Sequence, residues 1–172
     1  GRFVREGYES YGDVCHSYYP PLMEMARAGW EPEPLATGVA AERFGAKPPL
    51  YFTVRAPANP RQVQLTVLPQ VLAGLRNPLV MDAVQLSPVL SKLTAAGLEI
   101  TWVDGAEVLT ILRISSAEET RAWLLERAAG HCENAARVRG KTGRTAVLKD
   151  LARQTRTLQP SGDDRVGEVV TQ

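Results

Sequence analysis

The sequence predicts a mainly β protein with flanking helices: an antiparallel β-sandwich preceded by a short helix and followed by one or two C-terminal helices. Three observations carry that prediction. Six short segments between residues 39 and 114 are enriched in β-branched residues or alternate apolar with polar positions. Clusters of Pro, Gly and Asn separate them where the chain has to turn. On either side of that stretch the apolar residues recur at helical spacing instead. Short strands in series, with no helices between them, build antiparallel sheets because parallel pairing needs long crossovers.

Composition sets the outer bounds. A chain of 172 residues is long enough to bury about 70% of its unfolded surface, so a true core is expected. Hydrophobic residues make up 44% and charged residues 23%, which places the chain among globular rather than disordered or fibrous proteins. Its net charge of +1 argues against a dedicated nucleic-acid domain, which carries a strongly basic surface. No apolar run approaches the ~20 residues that span a bilayer, and the first residues lack the basic and apolar regions of a secretory signal, so no membrane partner is expected. Cys15 and Cys132, the 2 cysteines, are too few for a disulfide framework and leave the compartment open. The opening Gly1-Arg2-Phe3 carries no initiator Met, and the expectation drawn from the residues that follow is a piece of a larger protein.

Element by element, residues 1–19 interleave tyrosines with Gly, Ser and Asp without a sustained period and read as a loop. Pro20 and Pro21 suit a first helical turn, Leu22, Met25 and Ala26 form an apolar face, and Gly29 stands where a helix-ending glycine belongs, so a helix is expected over 20–28. Trp30-Glu31-Pro32-Glu33-Pro34 then imposes an extended path. Strands are expected at Val39–Phe44, Leu50–Arg55, Val63–Leu68, Leu79–Val84, Leu98–Val103 and Val108–Ile114. Asp104-Gly105 suits a primed two-residue turn, which predicts a hairpin over 98–114. Leu86–Ala96 reads as a helical turn or an unpatterned loop. At Ser115 and Ser116 the spacing to Glu118 and Glu119 matches a capping box. A helix follows that Gly130 should interrupt, with a second helix over Thr145–Leu158 and a frayed end after about residue 160. The division is therefore 1–34, 35–114 and 115–172.

The run Ala26-Arg27-Ala28-Gly29-Trp30-Glu31-Pro32, followed by Glu42-Arg43-Phe44-Gly45 and Leu50-Tyr51-Phe52-Thr53-Val54, resembles the C-terminal part of large bacterial glycoside hydrolase-like proteins. In these a (β/α)8 barrel ends in a helix that closes on a Gly-Trp-Glu-Pro-like turn, and a small β-sandwich follows. The resemblance covers roughly residues 1–114, up to the strand Leu109-Thr110-Ile111-Leu112-Arg113-Ile114. Three departures stand against it: a short stretch between Leu35 and Glu42, Ala56-Pro57-Ala58 in place of an Asn-Pro-Thr-like turn, and residues 115–172, which have no counterpart in the family. The resemblance implies an upstream barrel domain in cis, with residues 1–34 as its last loop and helix. The loop over 1–19 would then border the cleft, because barrel active sites lie on that face.

Tyrosine offers sugars both an apolar ring and a hydroxyl, and the stretch from Gly7 to Tyr19 adds carboxylates and a histidine. Glu9, Asp13, His16 and Tyr18 are its candidate carbohydrate-binding residues, against the simpler reading of an exposed loop whose tyrosines pack on the sandwich. Glycoside hydrolysis needs two carboxylates at a set separation, supplied in barrels by several strand ends. This chain contains at most one such end, so no catalytic residue is assigned.

Cys15-His16 and His131-Cys132 lack metal-clip spacing and form no oriented nucleophile pair, and no metal site is assigned. Trp102 suits a core position, Trp30 a plug between helix and sandwich, and Trp123 a helix face. From 134 to 160, Arg137, Arg139, Lys141, Arg144, Lys149, Arg153 and Arg156 meet only Asp150, a pattern that fits a solvated helix face or a disordered arm better than a polyanion site. With no phosphate loop and no nucleophile elbow, no cofactor is implied. The function expected is a non-catalytic C-terminal accessory module in carbohydrate metabolism; the alternative is a free-standing domain that binds a protein or polyanion.

Overall fold

The computed structural model describes residues 3–55, 62–103, 109–138 and 143–157, and the chain divides into two compact units, Gly1–Ser116 and Ala117–Gln172. The first unit opens with a helix, α1, over Phe3–Ala28. The helix expected over 20–28 is present and ends where expected, but it begins far earlier, which corrects the expectation of a loop over 1–19. Pro20 and Pro21 lie inside α1 rather than in its first turn, where each removes a backbone donor at a cost of about 3 kcal/mol relative to Ala. Tertiary packing offsets that local cost, since Pro21 is fully buried and Met25, one turn on, is nearly so. Gly29 ends the helix in the left-handed region at φ 84°, its N–H donating to the Met25 carbonyl at 3.0 Å. That is the 5→1 bond of an αL cap.

Among the described residues ten strands follow: β1 Trp30–Glu31, β2 Ala36–Gly38, β3 Ala41–Phe44, β4 Leu50–Arg55, β5 Gln62–Val67, β6 Leu79–Asp82, β7 Ser87–Pro88, β8 Leu90–Thr94, β9 Gly97–Val103 and β10 Leu109–Ser115. They form a six-stranded sheet in the order β1-β3-β4-β10-β6-β7 and a four-stranded sheet in the order β2-β5-β9-β8, with every pairing antiparallel. The mainly β fold with flanking helices is as the periodicity predicts. Four strands are additions to the expected six. Two of them, β7 and β8, occupy the stretch expected to be a helical turn or loop, because edge strands need bury only part of themselves and lose the alternation that marks a strand.

The core lies between the sheets. Alternate residues Leu50, Phe52 and Val54 of β4, with Leu112 and Ile114 of β10, join Leu65 and Val67 of β5 and Leu98 and Ile100 of β9 in one buried cluster. Burying a side chain of the size of Phe52 contributes about 2–3 kcal/mol. Trp102 packs half-buried against this cluster, as expected of it. Trp30 does not act as a plug: it is 61% exposed on the two-residue edge strand β1, opposite Phe44.

The hairpin expected over 98–114 is not formed. β9 pairs with β5 and β8, whereas β10 pairs with β4 and β6, so the chain changes sheets between them. The Asp104-Gly105 turn itself lies outside the described residues.

The second unit is a helical hairpin. α2 spans Ala117–Val138 and carries Glu118 and Glu119 in its first turn, where carboxylates favour the helix dipole. It runs through Gly130 without the expected break, since one glycine costs a helix only about 1 kcal/mol. α3 spans Gly143–Thr157, close to expectation. Ala129 of α2 and Ala152 of α3 are fully buried, and these small side chains let the two axes approach. The end expected to fray after 160 lies outside the described residues.

Candidate functional site

Antiparallel register places directly opposed residues on one face, so Trp30, Phe44, Tyr51, Arg113 and Met81 form a row across five strands of the larger sheet. This is the face turned away from the core, and α1 rests on it. Hydrogen bonds fasten the helix there: the Tyr51 hydroxyl donates to Glu24 Oε2 at 2.9 Å, and the Tyr18 hydroxyl to the Leu109 carbonyl at 3.3 Å. Arg113 in this row and Ser115, two residues further along β10 on the same face, are buried, with Arg113 Nη1 donating to Ser115 Oγ.

Burial, and after it the negative charge of Glu24, pushes the Tyr51 phenol up to about 12, although a hydrogen bond and positive charge from Arg113 act the other way. Tyr51 therefore keeps its proton under ordinary conditions. It is a hydrogen-bond donor here and is poorly suited to act as a nucleophile or general base, whose work needs a pKa near the operating pH. Glu24, Tyr51, Arg113 and Ser115 make a polar clamp between helix and sheet. At the sheet edge, Arg43 of β3, also buried, donates from Nε to the Glu33 carbonyl at 3.1 Å and pairs with Glu31 Oε2 at 3.4 Å. That pairing fixes the extended Pro32–Pro34 path against β3.

The residues expected to bind carbohydrate fall on α1 instead of a loop. Positions 9, 13 and 16 have i, i+4, i+7 spacing and share one helical face, while position 18 falls about 180° round from position 9. The helix therefore does not bring all four together. Tyr18 is half-buried with its hydroxyl engaged by β10, and the side chains of Glu9, Asp13 and His16 lie outside the described residues. Among the described residues, no group of three or more His, Cys, Asp or Glu is arranged to hold a metal ion. Cys15 and Cys132 are free thiols.

The clamp residues were not singled out by sequence, although Arg113 carried a signal: one cation in a largely apolar strand has to find a partner if that strand is buried. Arginines of the basic stretch also find carboxylates, on both helices of the hairpin. Arg156 spans the hairpin, with Nε and Nη2 each 3.0 Å from Glu126 carboxylate oxygens and Nη1 bonded to Glu133. Arg153 pairs with Asp150 Oδ1 at 2.5 Å. The hydrogen bonds from Arg156 hold both glutamates below the usual carboxylate range, and the same bonds raise the Arg156 pKa. Arg127 lies 5.9 Å from the centre of the Trp123 ring, within cation–π range. Among the described residues no helix is long and apolar enough to cross a membrane. Comparison with protein-family models, curated proteins and solved structures returned no match to the chain.

Proposed function

We propose that this chain is a non-catalytic accessory β-sandwich module of a glycoside hydrolase-like protein acting in carbohydrate metabolism, packed in cis against an upstream barrel domain. The observation that supports this reading most is the two-sidedness of α1. One side, through Pro21, Glu24 and Met25, is committed to the sandwich. Another presents Tyr19, Leu22 and Met23, exposed by 63%, 43% and 36%, at the i, i+3, i+4 spacing of a single stripe. A surface helix of a finished globule is apolar on one side only; a helix apolar on two sides suits a place between two layers. The last helix of a barrel with a module docked behind it occupies that place. The carbohydrate is then the ligand of the parent protein, with this chain as a support or wall of its cleft.

The coding sequence upstream of Gly1 tests the reading directly. Seven strand and helix units followed by an eighth strand are expected there, and any other architecture overturns the assignment. The purified chain should leave aryl glycosides intact; hydrolysis that disappears on Glu9→Gln or Asp13→Asn would replace this reading with that of a small hydrolase. A polyanion-binding role for the helical hairpin draws less support, because Arg153 and Arg156 are already engaged by carboxylates of the same unit. Val147 and Leu151, exposed along α3, favour a protein partner if that unit binds one.

A further inference from the structure

We draw no further inference here: the strongest candidate, the free edge of β8 with its exposed Leu90 and Leu93, is an unpartnered apolar edge, and nothing in the structure shows what covers it.

Discussion

Tyr51 and Arg113 face each other across β4 and β10, both nearly sealed from water, and the first holds a proton that the bulk phenol would lose two units earlier. That shift ties stability to alkaline pH. Between the unfolded value near 10 and the folded value near 12, the unfolded chain has released the proton and the folded chain has not, so stability falls as pH rises through that window. The expected loss is on the order of 2 kcal/mol. Urea unfolding of the wild type and Tyr51→Phe at pH 7 and pH 11.5 measures it. At pH 7 the variant should be weaker by about 1 kcal/mol, the net worth of one hydrogen bond, and it should show the smaller alkaline loss. Equal alkaline losses in the two proteins would refute the linkage. A second residue has a sharper constraint. Gly97 adopts φ 136°, and a Cβ there would collide with the Val67 carbonyl oxygen across the β5–β9 pair. Gly97→Ala should cost at least about 2 kcal/mol, well above an ordinary surface change, and an unchanged urea midpoint would contradict the close approach.

At the level of elements, what the sequence disclosed depended on how fully each segment is committed to one face. β4 and β5, both central to the core, are readable to within a residue of their ends, because burial enforces their composition. β1, β2 and β7, two or three residues each, carry too few positions to display a period. The N-terminal helix was legible only in its last turns, where the face of Leu22 and Met25 and the closing Gly29 mark residues 20–28; the tyrosines and glycines before them argue locally against a helix. Of the candidate site, Tyr18 was named from sequence but for a ligand, whereas Glu24, Tyr51 and Arg113 meet only through pairings 27 residues or more apart, as the Glu24–Tyr51 bond shows. The Arg156 clamp was hidden in the same way, since its carboxylates sit on the preceding helix. It leads to an acid-sensitive hairpin. Glu126 and Glu133 have depressed pKa values, so their contribution is present above the ordinary carboxylate range and is lost as pH falls through the folded values. These groups are exposed, and salt should weaken the clamp as acid does. In Arg156→Ala the helical circular dichroism should lose part of its dependence on pH between 5 and 2, and a profile matching the wild type would show that the clamp contributes nothing.

For the whole molecule, the apolar stripe of α1 makes a prediction that separates surface from scaffold. Leu22→Glu with Met23→Glu should leave the thermal stability of this chain within about 0.5 kcal/mol of the wild type, as for surface positions generally. The same pair should destabilise a longer protein in which α1 lies between two domains. If the isolated chain unfolds instead, the stripe is part of its own core and the proposed seat for an upstream domain is lost. Core truncation provides the contrasting case: Leu112→Ala, at the centre of the larger sheet, should cost about 2–5 kcal/mol, read from the urea midpoint.

The change of sheets after β9 sets the order in which the first unit is able to assemble. When synthesis has reached Val103, every strand of the four-stranded sheet exists and its ladder is able to close. The six-stranded sheet at that moment is two separate fragments, β1-β3-β4 and β6-β7, because the strand that joins them, β10, comes last. A nascent or truncated chain that has passed Val103 but not reached Leu109 thus carries two raw inner edges awaiting one keystone, and for that interval it is most exposed to pairing with the wrong neighbour.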